Sequence, residues 1–277
     1  MSKGQKKVFK TLDEQVDYLQ QEKLVQIQDS TWARKVLFDN NYYNLISCSK
    51  IKFAKGIEFG KHEYEKTDFN EWVDYFEKDC ELSEHLRRNI LNFERTINSR
   101  VAYHISELME TGVATECEQE MIKHLIQTSK NVDGIKFFSY EDKETWTYIT
   151  KMMFGDMKKL VFWLLENKRS FYSKIIEGYP FLGITDAESK SRVRIVRSRL
   201  NEINNLRNKL FHFTPSNIYL VYGKNSCGQL NNVEKRKVVR WVYRLGGNQN
   251  GRPELDQICQ YSRNFVKMKK RPTINVD

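Results

Sequence analysis

Hydrophobic residues recur at steps of three and four along most of the chain, which is the spacing of one buried face of an α-helix. The longest such run extends over residues 82–109, about seven helical turns, and predicts a central helix. Other helices are predicted over residues 10–27, 31–40, 117–129, 143–166 and 194–213, and a further one begins at Asp68 or Asn70 and carries Trp72, Val73 and Phe76. The central helix is expected to pack against the helices over 143–166 and 194–213. The central run is formed by Leu82, Leu86, Ile90, Phe93, Ile97, Val101, Ile105 and Leu108.

Two regions depart from the helical spacing. Residues 51–68 contain glycines between short apolar pieces and predict a loop or short strands. After Pro215 the period changes to two, and residues 238–245 are rich in β-branched and aromatic side chains, a pattern typical of strands. We therefore predict a mainly α-helical protein with a helical N-terminal region over residues 1–68, a helical core over 69–213, and a small, basic, β-containing tail over 214–277.

Composition supports this fold class and points to a polyanionic partner. The chain has 277 residues, only 4 Pro and 13 Gly, and 40% hydrophobic residues, as expected of a globular helical protein. Its net charge is +10, with basic clusters at residues 235–237 and 267–271. Such clusters can be ordinary solvated surface, but together with the net charge they favour nucleic acid as a partner.

The cysteine pattern and the hydropathy indicate the compartment. Five scattered cysteines with no C-x-x-C pair argue against a disulfide framework and against a zinc site, and fit a reducing cytoplasm. No apolar run reaches membrane length, and no signal-peptide core follows the N-terminus. We expect a cytoplasmic protein without membrane contact, bound metal or cofactor.

The segment from Arg207 to His212 carries the candidate chemistry. It has the form R-N-x-x-x-H. The arginine can hold a phosphate, the amide of Asn208 can orient the histidine or a nucleotide, and the histidine can transfer protons. The predicted helix that carries the segment has one apolar stripe, formed by Leu200, Ile203, Leu206, Leu210 and Phe213. Asn208 and His212 are four residues apart and lie opposite this stripe, and Arg207 lies on the flank. The alternative is a surface histidine beside an ordinary basic patch. Arg100 and His104 form a similar pair, but His104 falls on the central apolar stripe and is expected to be a packed, hydrogen-bonded histidine.

Several segments, in order, resemble the bacterial abortive-infection proteins of the AbiD/AbiF group, within the HEPN superfamily. The resemblance spans about residues 8–213. The matching segments are residues 11–19, 41–45 and 69–91, Glu94 with residues 100–103, Trp146 with residues 154–157, and finally Arg207, Asn208 and His212. The chain departs from the family pattern at Asn98, where an arginine is usual four residues after the glutamate, and at residues 213–215.

This resemblance implies a HEPN-like helical bundle and a ribonuclease toxin, acting in abortive infection or in a toxin–antitoxin pair. It implies Arg207, Asn208 and His212 as catalytic residues, and Glu94 and Asn98 as supporting residues. A non-catalytic RNA-binding or phage-sensing protein is the alternative. A nucleotide-transferring enzyme is a weaker one, because the chain carries no G-S-x-x-x-D-type acceptor motif.

RNA supplies its own nucleophile, the 2′-hydroxyl, so the expected endoribonuclease needs no metal. One histidine cannot readily serve as both acid and base, so we expect a homodimer that brings two motifs together. The expected partners are substrate RNA and a regulatory or antitoxin RNA, with log K falling by about 0.7 per single-strand phosphate neutralised as log salt rises. The predicted RNA-binding residues are Lys209, Lys267, Lys269, Lys270 and Arg271.

Overall fold

The architecture is mainly α-helical, which confirms the predicted fold class. The computed structural model describes residues 9–58, 61–129, 145–184, 190–222, 232–245 and 253–270. The helices are α1 (Leu12–Lys23), α2 (Ser30–Asp39), α3 (Tyr42–Phe53), α4 (Phe69–Glu110), α5 (Glu116–Gln127), α6 (Thr145–Ile149), α7 (Phe154–Asn167), α8 (Arg169–Ile175), α9 (Lys190–Phe211), α10 (Ser216–Tyr222), α11 (Asn232–Arg244) and α12 (Pro253–Lys270), with a 3-10 turn at Pro180–Leu182. The strands are β1 (Val25–Gln26), β2 (Ala54–Glu58), β3 (Lys61–Tyr64) and β4 (Thr67–Asp68).

The described residues fall into two compact units. The first unit lies within Met1–His85, Lys209–Gly223 and Gln249–Asp277, and the second within Leu86–Asn208 and Lys224–Asn248. Helices α4 and α9 contribute residues to both units. The units group residues by their contacts in space, whereas the three predicted regions are continuous segments of the sequence. The predicted domain boundaries therefore stay a prediction.

Helix α4 is a single helix of 42 residues. The sequence pattern predicts a helix over its first part and the central helix over 82–109, but no Gly or Pro separates them, so nothing ends the first helix. The predicted central stripe is confirmed, because all eight of its residues are at most 4% exposed. The first turns of α4 also bury apolar side chains, including Trp72 and Phe76.

Short strands and aromatic packing build the first unit. Residues 51–68, predicted as a loop or short strands, begin with the end of α3 and then form the short strands β2, β3 and β4. Strand β2 pairs antiparallel with β3, and β4 pairs parallel with β1. Phe53 stacks on Trp72 at 5.2 Å between ring centroids. Ile51, Val221 and Phe265 belong to one buried cluster, which joins α3, α10 and α12. Widely separated parts of the chain therefore share one core.

The second unit packs around Phe93 of α4. Its ring meets Phe154 of α7 at 6.0 Å and Trp241 of α11 at 5.3 Å between centroids. This confirms the predicted packing of the central helix against the segment 143–166, although that segment forms two helices, α6 and α7. A Cβ added at Gly155 would lie 3.6 Å from the Asn204 Oδ1 atom, so α7 approaches α9 closely where this glycine stands.

The predicted β-containing C-terminal tail is wrong for the described residues, which form α10, α11 and α12. In α10, the consecutive residues Tyr219, Leu220 and Val221 are all buried. Buried and exposed residues therefore do not alternate here as they would in a strand with one buried face. In α11, the buried residues stand at one-, three- and four-residue steps, which is a helical spacing. They are Lys235, Val238, Val239, Val242 and Tyr243. Short apolar runs are ambiguous between helix and strand, and tertiary burial decides between them.

A buried carboxylate in the first unit holds the start of α10. Asp79 is completely buried in α4, and its Oδ2 accepts a hydrogen bond from the backbone N–H of Ser216 at 2.6 Å. Its Oδ1 accepts from the Ser216 hydroxyl at 2.7 Å and from the backbone N–H of Asn217 at 3.1 Å. Helices begin with backbone N–H groups that lack a partner within the helix. Asp79 provides that partner from a distant part of the sequence.

The stability of the first unit should depend on the protonation of Asp79. Burial raises the pKa of Asp79 to about 6, above its ordinary value of 3.8, and its hydrogen bonds to Ser216, Asn217 and Ser83 oppose the rise. The folded state therefore favours the neutral acid. The stability that proton binding to Asp79 contributes is fully present below about pH 4 and is lost as the pH rises through about 6. Relative to Asp79→Asn, the wild-type unfolding free energy should fall by about 3 kcal/mol over that window.

Urea unfolding of both proteins at a series of pH values measures this difference. The Asp79→Asn protein is the matched control, because it shares every other titrating group with the wild type. A difference that stays constant between pH 4 and 7, or that grows as the pH rises, would contradict the prediction.

Candidate functional site

Helix α9 buries one face and carries the predicted motif on another. The predicted apolar stripe is confirmed at Leu200, Ile203, Leu206 and Leu210, each at most 1% exposed. Asn208 is exposed, and Arg207 is half-buried on the flank, as their helical positions predict. The periodicity of α9 therefore separates the packing residues from the candidate chemistry.

An ion pair in the second unit fixes the orientation of Arg207. The Arg207 Nε atom donates to Glu94 Oε1 of α4 at 3.0 Å, and the two side chains are only 23% and 14% exposed. The Arg207 Nη1 atom lies 3.4 Å from the Asn208 Oδ1 atom. Burial raises the pKa of the Glu94 carboxyl, and the guanidinium of Arg207 opposes that rise. Glu94 thus meets one of the predicted catalytic residues directly.

Asn98 has a different contact. It stands one turn after Glu94 on α4, and its Nδ2 atom donates to the Thr150 carbonyl oxygen at 3.2 Å. Its Oδ1 atom is buried and has no hydrogen-bond partner among the described residues. The structure therefore shows Asn98 holding the chain just after α6, while Glu94 holds Arg207.

His212 belongs to the turn that follows α9, within the first unit. The helix ends at Phe211, two residues earlier than predicted, and the backbone N–H of His212 donates to the Lys209 carbonyl at 3.2 Å. His212 is exposed. Phe213 has a left-handed φ of 53° and is 73% exposed, so its predicted place on the apolar stripe is wrong. Asn44 Nδ2 donates to the Phe213 carbonyl oxygen at 3.4 Å and contacts this turn from α3.

The predicted RNA-binding lysines are only partly within the described side chains. Lys209 and Lys267 are exposed in the first unit. Lys269 and Lys270 are the last two residues of α12, but their side chains lie outside the description, and Arg271 lies outside the described residues. The exposure of Lys209 and Lys267 is compatible with contact to a polyanion.

The second arginine–histidine pair has a structural role. His104 is half-buried, and its Nδ1 lies 2.8 Å from Glu107 Oε2, which confirms a hydrogen-bonded histidine. Arg100 donates to the carbonyl oxygens of Ile175 at 2.9 Å and Glu177 at 2.6 Å. Ile175 is the last residue of α8, where backbone acceptors lack helical partners, and Glu177 lies two residues beyond it. Arg100 therefore stabilises a helix end.

Sequence reasoning overlooked Lys158 of α7. Its Nζ donates to Asn201 Oδ1 of α9 at 2.6 Å, and burial lowers the pKa of this lysine. Asn201, Asn205 and Asn208 of α9 follow one another at four- and three-residue steps. This row of polar residues on a helix was the signal that could have directed attention to Lys158.

The described residues contain no group of three or more His, Cys, Asp or Glu side chains arranged to hold a metal ion. Within the same part of the chain, no helix has both the length and the apolar character needed to cross a membrane.

Residues 35–215 match the model of a protein family described as Abi-like protein. The match covers well over half of the chain and includes Glu94, Arg207, Asn208 and His212. No curated protein and no solved structure matches the chain.

Proposed function

The chain belongs to the family of Abi-like proteins, and from that premise we propose that it is a metal-independent endoribonuclease of the HEPN superfamily. The family supports a role in abortive infection, a defence against phage. Within that role we assign the chain to the AbiD/AbiF group and propose that it acts as the toxin, alone or paired with an antitoxin. The observation that carries the proposal is the R-N-x-x-x-H motif with its arginine held by a half-buried carboxylate.

Arg207 is suited to bind the scissile phosphate. Its guanidinium is permanently charged and can contact two phosphate oxygens at once. Because Glu94 binds its Nε, the side chain is already oriented and loses less conformational freedom when a phosphate arrives. Asn208 stands beside it, where an amide can orient a nucleotide or a histidine.

In the proposed reaction, the 2′-hydroxyl of RNA attacks the adjacent phosphorus and the bond to the 5′-oxygen breaks. His212 accepts the proton of the 2′-hydroxyl, and a second acid gives a proton to the departing 5′-oxygen. The products are a 2′,3′-cyclic phosphate and a 5′-hydroxyl. A second copy of the chain would supply the second histidine, so we propose a homodimer whose activity falls on dilution below its dissociation constant.

Cleavage should persist in EDTA and should fail on an oligonucleotide whose scissile ribose is 2′-deoxy. The RNA contributes the nucleophile and Arg207 the positive charge, so no metal-bound water is required. The measurement is the rate of cleavage of an end-labelled RNA, followed by identification of the new 3′ end. An otherwise identical all-ribose oligonucleotide is the control. Strict dependence on magnesium, or equal cleavage of the deoxy substrate, would contradict the mechanism.

A further inference from the structure

The first unit contains an aromatic pocket that the proposed reaction does not use. Its volume is about 470 Å³, within the range of small-ligand sites, and it lies among α1, α2 and the start of α3. Phe9, Phe38 and Tyr43 line the pocket and are 83%, 76% and 51% exposed. Exposed aromatic side chains grouped around one cavity mark a binding surface.

The chemistry of the lining favours a flat aromatic group joined to an anion. Besides the aromatic rings and leucines, the lining contains Lys10 and the amides of Gln15 and Asn41, and no Asp or Glu is among the described residues that form it. Aromatic rings stack on nucleobases whatever the sequence, and a nearby cation attracts the phosphate. A nucleotide of a single strand has both groups.

The start of α3 connects the pocket lining to the turn that carries His212. Tyr43 lines the pocket, and the next residue, Asn44, donates to the carbonyl oxygen of Phe213. Phe213 directly follows His212 and is itself largely exposed. The first turn of α3 therefore contacts both the pocket and the backbone beside the candidate catalytic histidine.

We propose that this pocket binds an unpaired nucleobase of single-stranded RNA beside His212, through stacking on Phe38 and Tyr43. The role of this strand as a substrate rests on the proposed function, but binding in the pocket does not require cleavage. A base in a duplex is stacked between its neighbours and cannot enter, so the pocket selects loops and single strands.

The test measures the affinity of a fluorescent oligonucleotide with 2′-O-methyl riboses, which has no nucleophile and cannot be cut. The full chain carries His212→Ala in every sample, so that it can be produced. Phe38→Ala and Tyr43→Ala should each weaken binding by about 5- to 150-fold, the range for loss of one stacked base. Phe38→Trp and Tyr43→Phe, which keep a ring, should retain the affinity.

Tyr103→Ala is the matched control, because Tyr103 is 68% exposed on α4 in the second unit. It should leave the affinity unchanged. An oligonucleotide with abasic positions should bind the double variant Phe38→Ala/Tyr43→Ala as well as the normal oligonucleotide does. The abasic oligonucleotide should bind the parent chain more weakly than the normal oligonucleotide does, because only the parent chain has the rings on which a base can stack. Both variants replace exposed side chains, and equal unfolding midpoints would confirm that they fold.

The two proposals fail separately. The pocket assignment would be overturned if the alanine variants bind like the Tyr103→Ala control, or if the parent chain binds abasic and normal oligonucleotides equally. Either result is expected if the pocket binds a protein instead of RNA. Ring-dependent binding by a chain that cuts no RNA would support the pocket and overturn the nuclease.

Discussion

His212→Ala should abolish growth arrest in a bacterial host that expresses the chain without its native control element. It should lower the rate of RNA cleavage by about 10²- to 10⁴-fold, the usual contribution of a general acid–base group. His212 is exposed, and its backbone turn does not depend on the imidazole, so the variant should fold normally. Binding of an uncleavable RNA should be retained, which a catalytic role requires and which distinguishes it from a binding role.

Arg207→Ala should abolish growth arrest as His212→Ala does, but it should also make the protein less stable than the wild type. Without the guanidinium, the half-buried Glu94 loses its cation and its pKa rises further, because burial alone then acts on it. Glu94→Gln keeps Arg207 and removes only the charge that orients it, so cleavage should fall less than in Arg207→Ala. Arg194→Ala changes an exposed arginine of the same helix and serves as the control. A host arrested as fully by the double variant of Arg207 and His212 as by the wild type would refute the nuclease.

Val101→Asp should unfold the second unit. Val101 lies on the central stripe of α4 and is completely buried. A carboxylate there would lose its hydration without gaining a partner, at a cost of several kcal/mol, comparable to the total net stability of many domains. Chemical denaturation of the purified chain, or recovery in the insoluble fraction, measures the effect.

Tyr103→Asp places the same charge two residues further along α4, at an exposed position. It should change the unfolding free energy by less than about 0.5 kcal/mol, as surface substitutions usually do. If both aspartates were tolerated equally, the apolar stripe could not be the core of this unit.

The helices with long apolar stripes could be predicted because burial repeats with the period of the helix. This holds for α4 and α9, where the spacing identified both the buried face and the exposed position of Asn208. The C-terminal helices could not be predicted, since the apolar runs of α10 and α11 are short and buried on several sides. Phe213 was misplaced because a left-handed residue ends the periodicity after α9.

The sequence could predict which residue types form the candidate site, but not which of these side chains contact one another. The resemblance to the family indicated Glu94, yet its partner Arg207 stands 113 residues away, and a single sequence does not show which distant side chains meet. Nothing in the local sequence marks Asp79 as the residue that caps α10, because its partners lie 137 and 138 residues further along. Lys158 was overlooked because its partner Asn201 stands 43 residues away, although the polar row on α9 was visible in the sequence.

The hydrogen bonds that the start of α10 donates to Asp79 determine the order of events during synthesis. A ribosome adds about 5–20 residues per second, and segments that meet across a long stretch of chain must wait for the later one to emerge. α3 and Asp79 are made before their partners in α10 and α12. The turn with His212 is therefore held in place only after α10 has left the ribosome, and a chain that stops before Ser216 would lack the hydrogen bonds to Asp79.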